Sequence, residues 1–195
     1  ANNNTDHMPL DEAHTTAWCN KSLDNPDHPL LCKKGGSVNR THRAITQLIA
    51  SFCQEAGLDT RVETVIPEFI QEHTDPPKHL PFLEQRKHKN AVLDVHATHP
   101  YLPTEYILDA TIRHPMATNA RGSDKKPGVA ANLGELDKHK RYPPTRGRHV
   151  IPCASETWGR LGSSFHTFLH SLNNRARQHD IASGTAPRNR LPRWY

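Results

Sequence analysis

Aromatic side chains and cysteine are both scarce in this sequence. Phe, Trp and Tyr make up 6% of the 195 residues, and hydrophobic residues of all kinds make up only 34%. With so little apolar surface, the chain can build one modest core with long irregular segments around it. Its four cysteines are too few for the disulfide scaffold of a small secreted protein, so a reducing, intracellular compartment is expected.

Several sequence features that define large protein classes are also missing. No run approaches the roughly 18 consecutive apolar residues of a membrane span, so no membrane partner is expected. The first residues, ANNNTDHMPLDEAH, lack the basic and then apolar order of a secretory signal. Because they also lack a starting Met, we expect a chain that is processed or cut from a longer polyprotein. There is no Walker-type loop and no dinucleotide-binding fingerprint.

Positive charge and proline are plentiful. Lys and Arg number 25 against 20 acids, which gives a net charge of +5, and there are 16 prolines and 15 histidines. This balance favours an anionic partner such as nucleic acid. The excess is concentrated in residues 171–195, where Arg175 and Arg177 are among five arginines and Asp180 is the one acid. We expect this segment to be a basic, flexible tail.

Hydrophobic periodicity predicts three helices and four strands in the order α-β-β-β-α-β-α. The predicted ranges are 41–56, 61–66, 91–97, 105–112, 128–142, 149–155 and 163–178. This order favours an α/β fold in which a mixed β-sheet is flanked by helices. We therefore divide the chain into a small Cys/His module (1–38), an α/β domain (39–170) and the tail (171–195).

Two aspartates interrupt otherwise apolar strands, in AVLDVHA (Asp94) and YILDATI (Asp109). Neighbouring strands can place them side by side, where like charges repel unless a divalent cation neutralises both. Mg²⁺ prefers such carboxylate ligands, and Lys138 on the following helix could hold water or balance phosphate charge. The alternative is that each aspartate is a strand residue that faces solvent.

A second candidate site lies near the N-terminus, where His14, Cys19, His28 and Cys32 could close a tetrahedral zinc site. A loop-rich segment without its own core would gain folding energy from such an ion. The alternative is a chance grouping in a chain rich in histidine. Trp158, in SETWGRLGSS, also has two interpretations: packing at the core or its rim, which we favour, or stacking on a base.

The ordered set of motifs resembles the restriction-endonuclease-like, or PD-(D/E)xK, endonuclease region of site-specific non-LTR retrotransposon polyproteins. The resemblance covers roughly residues 14–165 and rests on CNKSLDNPDHPLLCKKGG, RTHRAI, the two strand aspartates and KHKRY. It implies that Asp94 and Asp109 bind Mg²⁺, that Lys138 is the catalytic lysine, and that the Cys/His segment is a zinc knuckle. The chain departs from the pattern at Leu93, where Pro is usual, and at Ala110 and Thr111, where an acid and a lysine are expected.

The function that this resemblance implies is a metal-dependent DNA endonuclease that nicks its substrate in the nucleus. DNA is the expected partner, with RNA as an alternative, and basic residues are expected to contact phosphates: Lys140, Arg141, Arg175 and Arg177. The competing hypothesis is a decayed or domesticated module of the same fold that binds nucleic acid or protein without cutting.

Overall fold

The computed structural model describes residues 37–71, 89–116, 122–123 and 125–194. Within them lie the helices α1 (Ser37–Glu55), α2 (Val129–Arg141), α3 (Ser163–Ala182) and α4 (Leu191–Trp194) and the strands β1 (Asp59–Gln71), β2 (Lys89–Thr98), β3 (Glu105–Arg113) and β4 (Val150–Glu156). Along the chain they run α1-β1-β2-β3-α2-β4-α3-α4. This confirms the predicted succession of elements and adds the short α4.

The chain divides into two compact units, Ala1–Arg43 and Ala44–Tyr195, and all four strands belong to the second. They form one sheet in the order β1-β2-β3-β4. β1 and β2 are antiparallel, as are β2 and β3, whereas β3 and β4 are parallel. Parallel neighbours need a crossover connection, which α2 supplies. The predicted α/β fold with a mixed sheet and flanking helices is confirmed.

The end of α1 follows from its last residues. The Gly57 N–H donates to the Gln54 carbonyl and the Leu58 N–H donates to the Cys53 carbonyl, at 2.9 and 3.1 Å. This is the Schellman pattern, and it requires a left-handed residue directly after the helix. Gly57, at φ +75°, provides that residue without the steric cost of a Cβ.

The larger core lies between the sheet and the helices α1 and α3. The strands contribute Val95, Leu108, Ala110 and Cys153, and the helices contribute buried side chains that include Ile49, Phe52, Cys53, Phe168, Leu169 and Leu172. Cys53 and Cys153 are both free thiols buried in this core. A second cluster joins the strands to Tyr142, whose ring packs edge-on against Phe69 with centroids 6.1 Å apart.

The segment from residue 171 onward differs from the expected flexible tail, because the boundary at 171 falls inside α3. That helix buries Leu172, Asn173, Ala176 and Asp180 before it ends at Ala182. Beyond it, Arg190 is buried and donates two hydrogen bonds to the Asp180 carboxylate, at 2.7 and 2.8 Å. The one acid of the segment therefore fixes its end to α3.

Candidate active site

Asp109 lies in the middle of β3 and is almost completely buried, with 4% of its surface exposed. Its backbone neighbour across the parallel ladder is Pro152. Its carboxylate oxygen Oδ2 lies 2.5 Å from Nζ of Lys138 on α2. The acid that interrupts an apolar run is thus paired with a lysine from the crossover helix.

The position of Lys138 follows from the way α2 packs on the sheet. A Cβ at Gly134 would lie 3.0 Å from Thr111 Cγ2 and 3.5 Å from the Ala154 Cβ, so the helix approaches the strands most closely there. Lys138 is one turn further along α2, a rise of about 6 Å. Asp109 is two residues before Thr111 on the same face of β3, about 6.6 Å away. Because these two displacements, along α2 and along β3, are similar in length, Lys138 lies over Asp109.

Asp94 lies beside Asp109. The ladder between β2 and β3 ends with the pair Val95 and Leu108, and the same register places Asp94 opposite Asp109. Asp94 Oδ2 accepts a hydrogen bond of 2.6 Å from the Ala110 N–H, so its carboxylate occupies the space next to the ladder's end. The two aspartates are close enough for a side-chain hydrogen bond between them to affect the pKa of Asp109.

Three influences set the protonation of Asp109. Burial raises its pKa from 3.8 to about 6, because the charged form is separated from water. The nearby Lys138 ammonium opposes this shift, and Asp94 adds to it as a second acid. The carboxyl therefore changes charge near neutral pH and not near pH 4.

The contact between Asp109 and Lys138 is an ion pair by distance and not a well-aligned hydrogen bond. Oδ2 is closed off from solvent, and no group among the described residues donates to it with hydrogen-bond geometry, although Nζ lies 2.5 Å away. A buried oxygen that lacks an aligned donor is costly to maintain. It is also an acceptor that a cation can use.

Glu135 is a residue of this region that the sequence interpretation missed. It lies one turn before Lys138 on α2 and is buried. Its carboxylate accepts hydrogen bonds from the Ser164 N–H (2.7 Å) and the Ser163 hydroxyl (3.0 Å), at the first turn of α3. A Cβ at Gly162 would lie 2.2 Å from Glu135 Oε1, so the glycine leaves room for the carboxylate. Glu135 thus joins the lysine-bearing helix to α3. The three-residue spacing to Lys138 was the available signal.

The predicted phosphate-contacting residues do not all lie on one side of the sheet. Lys140 and Arg141 are exposed in the last turn of α2, the helix that carries Lys138. Arg175, on α3, has its guanidinium carbon 6.0 Å from the centre of the Tyr106 ring. Tyr106 and Asp109 point to opposite faces of β3, since successive strand residues alternate. Arg175 is therefore separated from the acidic pair by the sheet. Arg177 is exposed on α3.

Histidines near the aspartates have other roles. His96 Nε2 lies 2.6 Å from Glu105 Oε1, and Glu105 also accepts hydrogen bonds from Arg148, whose guanidinium holds the pKa of that carboxyl below its usual value. His99 Nδ1 accepts from the backbone of the turn between β2 and β3. Among the described residues, no group of three or more His, Cys, Asp and Glu side chains is arranged to hold a metal ion.

The predicted zinc ligands His14, Cys19, His28 and Cys32 lie outside the described residues, and the zinc site stays a prediction.

Of the described helices, none combines the length and apolar character needed to cross a bilayer. Comparison of the chain with protein-family models and with curated protein sequences finds no match.

Proposed function

We propose that this chain is a metal-dependent DNA endonuclease domain of the restriction-endonuclease-like class, of the kind that non-LTR retrotransposons encode. The observation that carries the proposal is the convergence of Asp94, Asp109 and Lys138 on one mixed sheet. Two carboxylates and one ammonium group are the charges that hydrolysis of a phosphodiester requires. They come from three different elements, so their meeting is a property of the fold and not of one local motif.

The residues present fit a magnesium ion. Mg²⁺ is commonly held by one or two carboxylates together with water and substrate phosphate, so Asp94 and Asp109 suffice as protein ligands. The buried Asp109 oxygen without an aligned donor is the acceptor that such an ion would use. When bound, magnesium activates water and stabilises charge on the phosphate that is cut.

Lys138 and the two acids have separate tasks in this proposal. Asp109 must be ionised to bind a cation, and with a pKa of about 6 it is ionised at neutral pH. Lys138 lowers that pKa while the site holds no substrate and can donate hydrogen bonds to a phosphate oxygen or to water when DNA is bound. Lys140 and Arg141, two and three residues further in the last turn of α2, extend the positive charge toward neighbouring phosphates.

The absence of the pattern's lysine after Asp109 can be explained by the packing of α2 on β3. Thr111 stands where the pattern has its lysine, and its methyl group faces the glycine surface of α2 at Gly134. That close packing leaves little room for a lysine on the strand. A lysine from α2 reaches Asp109 instead, and this supports the assignment of Lys138 to the role.

The other parts of the proposal extend beyond the described residues. A zinc knuckle formed by the N-terminal Cys/His segment is one of these parts, with His14, Cys19, His28 and Cys32 as its ligands. Nuclear location and membership of a larger polyprotein are further expectations that accompany the retroelement hypothesis.

The test is a plasmid-nicking assay of the full chain and of its variant Asp109→Ala, each with magnesium and with EDTA. A DNA-binding titration of both proteins accompanies it. We expect nicking that needs magnesium and is abolished in the variant, while binding remains. Asp137→Ala is the matched control, since Asp137 is an exposed acid on α2 that pairs with Arg113. Binding without nicking by the unmodified chain, across a range of magnesium and manganese, would instead favour the non-catalytic binding module.

A further inference from the structure

Trp158 is exposed to an unusual degree for the largest apolar side chain. It retains 64% of its accessible surface, at the tip of the turn that joins β4 to α3. Of the two positions favoured from sequence, the core or its rim, this exposure fits the rim only. Scattered exposed apolar residues are common, but exposed Trp is expensive and often marks a contact surface.

The turn that carries Trp158 is held by backbone hydrogen bonds. The Glu156 N–H donates to the Arg160 carbonyl at 2.7 Å, and the Gly159 N–H donates to the Glu156 carbonyl at 2.9 Å. The N–H and hydroxyl of Thr157 both donate to the carbonyl of Arg113, at 3.0 and 3.2 Å. The loop that carries the indole is therefore ordered before binding, so binding costs little further conformational entropy.

A buried imidazole supports one side of the indole. The rings of His114 and Trp158 pack edge to face, with centroids 5.1 Å apart. His114 Nδ1 also accepts a hydrogen bond of 3.1 Å from the Met116 N–H, and the Met116 side chain is 57% exposed. His114 thus contacts two residues with exposed apolar side chains, Trp158 through its ring and Met116 through the backbone.

Positively charged residues lie near Trp158 in the chain and next to Arg160 in the fold. Arg160 is exposed two residues after Trp158, and its Nε would lie 3.0 Å from a Cβ at Gly128, the residue before α2. Lys125 and Lys126 are exposed just before that glycine. An exposed indole beside cations complements a nucleobase beside phosphates, because bases stack on aromatic rings while Lys and Arg neutralise the backbone.

The residue that supports the indole lies further along the strand that carries Asp109. The last residues of β3 run from Asp109 to Arg113, and His114 follows directly, so about 17 Å of extended chain separates Asp109 from His114. At the rise of duplex DNA this length corresponds to about five base steps. One short DNA segment can therefore contact both places.

We propose that Trp158 is a stacking platform for an unpaired nucleobase of the DNA substrate, with Arg160 contacting an adjacent phosphate. The proposal rests on the nucleic-acid function proposed above and adds a binding site to it. It also assigns a substrate feature, since stacking on an indole requires a base that is not enclosed in a duplex.

The test uses fluorescence anisotropy of a labelled single-stranded oligothymidylate with the full chain, at several salt concentrations. Trp158→Ala should weaken binding by about five- to a hundredfold, the loss of one base–aromatic stack. Trp158→Phe should restore most of the affinity. Arg160→Ala should reduce the salt dependence by about one counterion. Leu136→Ala removes a comparably exposed apolar side chain on α2 and should leave affinity unchanged.

Far-ultraviolet circular dichroism of each variant separates lost folding from lost stacking. The oligonucleotide should quench indole fluorescence more in the unmodified chain than in Trp158→Phe, and this difference reports the contact directly. Unchanged affinity in Trp158→Ala, or no quenching assigned to Trp158, overturns this inference and leaves the endonuclease proposal standing. The exposed side chains of Trp158 and Met116 would then serve a protein partner. No nucleic-acid binding by the unmodified chain overturns both.

Discussion

Asp109 and Asp180 are equally buried, each with 4% of its surface exposed, and each lies beside a base. Asp180 receives both arms of the Arg190 guanidinium, at 2.7 and 2.8 Å, and the N–H of Arg188 at 3.0 Å. These hydrogen bonds hold the pKa of Asp180 well below its usual range. Asp109 has one lysine nitrogen at 2.5 Å, and burial raises its pKa to about 6.

The difference between the two pairs arises from the geometry of their donors. A planar guanidinium serves both oxygens of a carboxylate at once, whereas an ammonium group is a point charge that serves one. Asp180 is thus satisfied by the protein itself, and it fastens the chain end to α3. Asp109 is buried at a cost that its surroundings do not fully offset, and residues with pKa values shifted in this way concentrate at functional sites.

The largest effect is expected from replacing Lys138, the basic partner of Asp109. In Lys138→Met, nicking should fall by about a hundredfold or more, because the loss of one positioned hydrogen-bond donor to the transition state costs on that scale. The pKa of Asp109 should rise further, since Lys138 lowers it in the unmodified chain. Nicking at saturating DNA and carboxyl NMR titration measure the two effects.

Lys140→Met is the matched control, because Lys140 is exposed on the same helix. It should weaken DNA binding and leave the rate at saturating DNA close to that of the unmodified chain. Equal loss of that rate in both variants would mean that Lys138 acts only through general charge.

The second effect concerns stability. An acid whose pKa rises from 3.8 to about 6 on folding destabilises the folded state once it ionises, and this loss develops as pH rises between those values. The full loss is about 3 kcal/mol. Asp109→Asn should therefore be more stable than the unmodified chain at pH 7 by roughly this amount in urea unfolding, with the difference vanishing below about pH 4.

Asp137→Asn, at an exposed acid of α2, is the matched control for the change of an acid to its amide. A stability difference for Asp109→Asn that is independent of pH would contradict the assignment of a raised pKa to Asp109.

A smaller effect is expected at Glu135. Glu135→Ala removes the acceptor for the Ser163 hydroxyl and the Ser164 N–H, so α3 loses its N-terminal cap, worth about 1–2 kcal/mol of unfolding free energy. Denaturant unfolding measures this, with Asp137→Ala as the control on the same helix. Identical midpoints for the two variants would show that the Glu135 contacts do not stabilise the fold.

The smallest effect is expected from Arg190→Lys, which keeps the charge beside Asp180 and loses the two-pronged hydrogen bond. The denaturation midpoint should fall slightly, and by more than in Arg188→Lys, whose guanidinium is exposed and 3.8 Å from the carboxylate. The difference should disappear in strong acid, because a depressed pKa stabilises the fold above the unfolded-state value and that stabilisation is lost as pH falls through the folded-state value. Thermal melts at neutral and acid pH provide the comparison.

The two pairs also differ in how far sequence could identify them. The aspartates at 94 and 109 stand out because an acid within an apolar strand is costly without a partner. Lys138 was the lysine predicted beside them, and the packing of Gly134 on the strands brings it to Asp109. The Asp180–Arg190 pair gave no such signal: an acid among arginines and prolines has the composition of a solvated tail.

The sequence by itself determined the order of helices and strands, because hydrophobic periodicity is a local property that each segment carries within a few turns or pleats. It also determined that two strand acids needed a partner. Only the tertiary structure decided which groups became those partners, that α3 would extend to hold Arg190, and that Trp158 would remain in solvent. These outcomes depend on the register of the strands and on where α2 and α3 rest on them, and register and packing arise from contacts between residues far apart in the chain.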